Sequence, residues 1–271
     1  MQFDRTTPVT VTVRGNRGRI DVTASDGATV SADVEPMDDS EAGHEAARNT
    51  RIALDGDTLI IQPPPASGWT WWRTPRLAIT VHVPTGSSIW ARMASANLRA
   101  TGRYHTAHVS TASGDAWIED VIGDAHISSA SGDTVVGRVG GSFHTKSGSG
   151  DIEAGDVAGD VAGGSASGDI SLRNVGGSVS AGTASGDIEV GVLHRGQANL
   201  RSASGDVSVG VAAGTGVWLD VVTASGSTSN DLAVSTGPAG GQTATLQLKI
   251  RTASGDIRIR RVLGGEVPAA A

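Results

Sequence analysis

Cysteine is absent from this chain of 271 residues, which excludes a disulfide framework and any thiolate metal site. Aromatic residues are scarce, with two Phe, one Tyr and six Trp, too few to build a core around large rings. No stretch approaches the roughly 18 continuous apolar residues that mark a membrane-spanning helix. The opening residues, MQFDRTTPVTVTVRG, carry no apolar run of the signal-peptide kind. The expectation is therefore a cytoplasmic location, with room for membrane association through a partner. A net charge of −7 argues against general nucleic-acid binding.

Glycine, by contrast, is abundant, at 38 residues, about twice ordinary usage. Much of it falls in a repeat. The tripeptide Ser-Gly-Asp begins at Ser113, Ser131, Ser149, Ser167 and Ser185, each 18 residues after the last. Further copies begin at Ser204 and Ser254, and a degenerate one, Ser-Gly-Ser, at Ser225. A fixed period near 20 residues, with Val, Ile, Leu and Ala between the glycines, is the signature of a solenoid in which each repeat is one rung.

Side chains on a strand alternate faces with period two. Val179, Ala181 and Thr183 share one phase; Ala184, Gly186, Ile188 and Val190 share the opposite one. A shift of one residue marks a bulge or corner, here between Thr183 and Ala184. The same shift recurs at Thr111, Ser129, Ser147, Ser165, Ser202, Thr223 and Thr252, each with a hydroxyl able to bond backbone groups freed by the bend. The opposite turn carries Val139, Val157 and Val175, followed two residues on by Gly141, Gly159 and Gly177. Each rung thus reads as two short strands, with rungs stacked about 4.8 Å apart.

The fold expected is all-β: a single-stranded parallel β-solenoid, or β-helix, of about 18-residue rungs with irregular N-terminal rungs and a cap. Residues 1–86 form the irregular part, with a Trp-rich loop. Residues 87–262 form the regular rungs, continuous with the first part as one domain, and residues 263–271 a disordered tail. Within the first part, residues 40–49 read as a short helix, and Asp55-Gly56-Asp57 as a hairpin turn between two strands. Leu77, Ile79, Val81 and Val83 form another strand that ends at Pro84. Charge is uneven: acidic over residues 33–57, and basic at Lys249, Arg251, Arg258, Arg260 and Arg261. In a stack this predicts an acidic end and a basic end, which can guard open edges or join copies head to tail.

The phrase Thr-Ala-Ser-Gly-Asp-Ile, the Gly-x-Val step between rungs and the closing phrase from Thr252 resemble the bacterial putative-adhesin family of β-strand repeat proteins, also called toastrack. The likeness covers roughly residues 5–262. It implies a parallel β-solenoid, no established enzymatic activity, and a role in surface interaction or cell-envelope stress.

Three features stand out against the repeat. Asp115, Asp133, Asp151, Asp169, Asp187, Asp206 and Asp256 form an outward ladder. At strand spacing, adjacent carboxylates repel by roughly 1 kcal/mol even at the dielectric of water, so a turn-type bond to backbone or a cation must offset them. His108, His126 and His144, also spaced by 18, share one outward position, with Trp90 one rung earlier and Asp124 nearby. These are ligand types for a divalent metal, and also a face sensitive to pH. Finally, Trp69, Trp71, Trp72, Arg73 and Arg76 follow three prolines in a segment too long for a routine hairpin. Trp beside Arg suits a protein interface or a membrane surface.

No irregular cluster of carboxylates, phosphate loop or nucleophile triad interrupts the repeat, so an enzyme is not expected. The leading expectation is a non-catalytic binding or scaffold protein without a cofactor, its Trp-rich segment contacting a protein partner or membrane surface. The alternatives are a metal-binding or carbohydrate-active solenoid using the His column, and a self-assembling structural element joined end to end.

Overall fold

The computed structural model describes residues 1–65, 74–232 and 245–262. The chain divides into two compact units, Met1–Val136 and Gly137–Ala271. Each is a parallel β-solenoid, as the period predicts. Among the described residues no helix is long and apolar enough to cross a membrane. The expected tail, 263–271, lies outside the described residues.

The first unit contains β1 (Thr10–Ser25), β2 (Ser31–Pro36), α1 (Glu41–Arg48), β3 (Arg51–Asp55), β4 (Thr58–Gln62), β5 (Leu77–Pro84), β6 (Ser88–Tyr104), β7 (Ala107–Thr111), β8 (Ala116–Val121) and β9 (Ala125–Ser129). The next strand is β10 (Thr134–Val139). β1 and β6 each run through a whole rung, and β1 changes burial phase near Gly15–Arg19. They pair parallel from Thr10↔Ser88 to Thr23↔Thr101. On its other side β1 takes β4 along Thr10–Val13 and β5 along Gly18–Ser25. The strand made first is thus one rung in from the edge.

Antiparallel strands close that edge, β3 on β4 and β2 on β5, so the first unit does not end on a bare parallel ladder. Gly56 carries φ +56° in the β3–β4 turn, a left-handed conformation that favours glycine. α1 lies against β2. Its Ser40 cap accepts a bond from the Gly43 amide at 3.0 Å, and Glu41 and Arg48 complement the helix dipole. The helix, hairpin and terminating Pro84 agree with the sequence reading.

The second unit holds β11 (Phe143–Ser147), β12 (Ile152–Val157), β13 (Val161–Ser165), β14 (Ile170–Val175), β15 (Val179–Thr183), β16 (Ile188–Leu193), β17 (Gly196–Ser204), β18 (Val207–Ala212), β19 (Val217–Ser225), β20 (Thr228–Asn230), β21 (Leu246–Ser254) and β22 (Ile257–Val262). Two parallel ladders run along it, β11–β13–β15–β17 and β12–β14–β16–β18, with Phe143↔Val161↔Val179↔Ala198 in line. Small and branched residues fill the narrow interior: Val161, Val179, Ala181, Ala198 and Leu200 are all at most 4% exposed.

Rung order then departs from chain order. β17 pairs with β21, and β21 pairs on its far side with β19. Likewise β22 lies between β18 and β20. The last rung in sequence is the penultimate rung in space. Ile250 sits between Leu200 and Val221 and is fully buried, whereas Val217, Leu219 and Val221 of the outer rung are half-buried.

This corrects the expectation of a basic end. The C-terminal cations stand within the stack, where carboxylates one or two rungs away meet them: Arg251 to Asp220 at 3.4 Å, Arg258 to Asp206 at 3.7 Å, and Arg260 to Glu189 at 3.4 Å. Such exposed pairs contribute about 0–1 kcal/mol each. They match partners along the stack and do not form a separate charged face.

Candidate functional site

The repeat itself consumes most of its polar groups. The hydroxyls of Thr111, Ser129, Ser147 and Ser165 accept bonds from the amides of Gly114, Gly132, Gly150 and Gly168 at 2.8–2.9 Å. In later rungs the corner hydroxyl donates instead to a glycine carbonyl of the adjacent rung, as Ser202 does to Gly186 and Thr252 to Gly205. Both arrangements bond backbone groups that a bend withdraws from the ladder.

The Asp column is bonded in the same spirit. In the second unit the amide of Asp169 donates to Asp151, that of Asp187 to Asp169, that of Asp206 to Asp187 and that of Asp256 to Asp206, at 2.7–2.9 Å. The first unit repeats this from Asp133 to Asp115, and Asp115 donates in turn to Asn97. Asn97 stands where a rung without Ser-Gly-Asp still needs an acceptor. At the other extreme, Ser227 donates both its amide and its hydroxyl to Asp256. Those bonds, amide first, hold the Asp256 carboxyl below the usual carboxylate range. The degenerate Ser-Gly-Ser is thus the phrase of the outer rung, which receives no amide from a further rung among the described residues.

Asp187→Asn keeps the acceptor oxygen and removes one charge from the column, so stability is expected to change by less than about 0.5 kcal/mol. Asp187→Ala strips the Asp206 amide of its acceptor and is expected to cost about 1 kcal/mol. Urea-unfolding midpoints compare the two. An Asn variant as damaged as the Ala variant would show that the column needs its charge, as a cation site does.

Of the His column, His108 and His126 lie together in the first unit. Trp90, His108 and His126 occupy equivalent positions on β6, β7 and β9. Trp90 stacks on His108 with ring centroids 4.3 Å apart, and His108 on His126 at 4.9 Å with planes 12° apart. Burial, then the neighbouring His126, hold the His108 imidazole below its ordinary pKa, against the opposing pull of Asp124. Rings stacked face to face direct their nitrogen lone pairs side by side, not toward one point. Among the described residues no group of three or more His, Asp or Glu is arranged to hold a metal ion. His144 belongs to the second unit, exposed on β11.

Trp69, Trp71, Trp72 and Arg73 lie outside the described residues. Arg76 is exposed, and its carbonyl accepts the Met37 amide at 2.9 Å. The ends of the interruption are well placed: the chain leaves β4 at Gln62 and re-enters the ladder at Leu77, where other rungs use a corner such as residues 112–115. Beside those ends is a cavity of about 380 Å³, lined by Gly15, Arg17, Ile20, Ala46, Pro64 and Leu77 among others. Sequence reasoning missed it, although its signal was present: the rung of β4 and β5 has no corner phrase. It also missed Trp218, 47% exposed on the outer rung with the Lys249 ammonium 5.9 Å from its ring.

The model of the family described as Toastrack DUF4097 matches residues 16–260. Similar solved structures include a putative adhesin from Bacteroides fragilis, at 13% identity and TM-score 0.47, covering 95% of this chain and 94% of that one. A putative lipid binding protein from Parabacteroides distasonis has 13% identity and TM-score 0.47, over 97% and 95%. A putative cell adhesion protein from Clostridium sporogenes has 9% identity and TM-score 0.26, over 95% and 94%. No curated protein matches the chain.

Proposed function

The chain belongs to the Toastrack family, and we propose that it is a non-catalytic binding scaffold whose Trp-rich segment, residues 69–73, docks on a protein partner. One observation carries this reading: the repeat's own polar groups are engaged in holding rungs together. Asp carboxylates receive backbone amides, and corner hydroxyls bond the turns. The chemistry left over is concentrated where the repeat is broken. Three tryptophans and two arginines stand between Gln62 and Leu77, the composition of an interface hot spot. A stiff stack that holds such a segment at a fixed point needs no catalytic group to act.

A triple variant, Trp69→Ala, Trp71→Ala and Trp72→Ala, tests this against the wild-type chain. Each is used as bait in lysate of the source organism, and the recovered protein is then purified and titrated against both. Binding is expected to fall at least about tenfold in the variant, since a single anchoring Trp is worth about 2 kcal/mol or more. Equal binding by both would overturn the reading. If instead wild-type Trp emission shifts to the blue with anionic phospholipid vesicles and no protein is retained, a membrane surface takes the partner's place.

A further inference from the structure

The cavity of the first unit has a definite structural origin. In a regular rung a four-residue corner lies on the corner of its neighbour, as the Asp133 amide on the Asp115 carboxylate shows. β1 bends near Gly15–Arg17, and in the rung laid on it β4 stops at Gln62 and β5 starts at Leu77. Among the described residues none forms a corner over the bend of β1 on that side. Pro63, Pro64, Pro65, Thr74 and Pro75 and the small face of α1, Ala42 and Ala46, enclose the space from the other side.

Its lining is graded. The most buried members are Ile20, Leu77, Ile79 and Ala96, at 0–6% exposure, so the cavity opens onto the hydrophobic core of the unit. The exposed members include Arg17 and Arg19, against the one carboxylate of Glu45. Arg19 shares its charge with Asp21 at 3.2 Å, on the solvent side. A cavity of about 380 Å³ with Ile20, Leu77 and Ile79 at its buried side, and Asn16, Arg17, Arg19, Glu45 and Asn49 also in its lining, has the form of a small-ligand site.

We propose that this cavity binds a single-chain anionic amphiphile, its apolar tail against Ile20, Leu77 and Ile79 and its acidic head at Arg17 and Arg19. The inference stands apart from docking by the Trp-rich segment and is tested without it. Size fixes the first part of the assignment: the space suits one short chain and is too small for a two-chain lipid body. The second part rests on the two guanidiniums in the lining, which can bond a carboxylate or phosphate bidentately and offer nothing to a cationic head.

Isothermal titration of the full chain with dodecanoate, below its micelle concentration, provides the test. Saturable one-to-one binding is expected, with dodecyltrimethylammonium, of the same tail and opposite head, binding at least about tenfold more weakly, or about 1.4 kcal/mol. Ala42→Phe places a ring in the cavity from an exposed helix position and is expected to weaken dodecanoate at least about tenfold. Arg17→Gln, at an exposed side chain, is expected to weaken dodecanoate while leaving dodecanol unchanged, and it decides the matter if the Phe variant does not fold. The proposal is overturned by absence of saturable heat, by equal affinity for both heads, or by unchanged dodecanoate binding in a well-folded Ala42→Phe protein.

Discussion

Gly168→Ala is expected to destabilise the second unit by about 4 kcal/mol or more, the range reserved for single changes that break a structural rule. A Cβ at Gly168 would lie 2.2 Å from the carbonyl oxygen of Gly150 and 2.7 Å from its carbon. Both are backbone atoms of the adjacent rung, so no side chain can swing away. The rungs would have to part at the corner and stretch the bonds from Ser165 to Gly168 and from Asp151 to Asp169. Gly164, four residues earlier in the same rung, is the matched control. A Cβ there meets nothing closer than 3.7 Å, so Gly164→Ala is expected to be neutral, or stabilising by up to about 1 kcal/mol through the unfolded chain. Chemical denaturation of the two variants measures the difference. Similar losses in both would mean that glycine is needed in these rungs for something other than close backbone approach.

A second large effect is expected at Ile250. It is fully buried between Leu200 and Val221, so Ile250→Asp loses about 1.5–3 kcal/mol of apolar burial and adds the cost of an unpaired buried carboxylate, several kcal/mol more. The second unit is expected to lose cooperative folding. Val221→Asp, on the half-buried outer rung, is expected to cost only about 1–2 kcal/mol. Counting along the chain suggests the reverse, since residue 250 lies nearer the terminus and termini ordinarily fray. Urea midpoints of the two variants settle the rung order: a Val221→Asp protein weaker than the Ile250→Asp protein would place residues 246–262 outermost.

That pair of residues also shows where sequence reading stops. Leu219, Val221 and Thr223 carry the same phase as Leu248, Ile250 and Thr252. Period and phase state which residues stand in register, and the pairings Val221↔Ile250 and Leu200↔Ile250 agree. They are silent on which rung lies beside which, because every rung offers the same pattern of apolar side chains. The one local clue is Ser227, where other rungs have Asp, and its meaning emerges only once the Asp-to-amide bonds are known. The corner hydroxyls were legible because a phase shift of one residue has few structural solutions. The His column was legible as an alignment, and its first two members do stack. The cavity was harder to read: it arises from an absence, a corner phrase missing between Ile61 and Leu77, and periodicity registers what recurs.

The inserted rungs bear on how the protein is made. β1 leaves the ribosome before all of its neighbours β4, β5 and β6. β21 and β22 leave after β19 and β20, yet they belong between strands already made. Most solenoids can grow by adding each new repeat to the last one. Here synthesis from the N-terminus cannot lay the rungs down in order: the outer rung of β19 and β20 has to keep off β17 and β18 until residues 246–262 arrive to fill the slot. Completion of the second unit therefore waits on synthesis of residues 246–262, and a chain cut short before them lacks an inner layer of the stack.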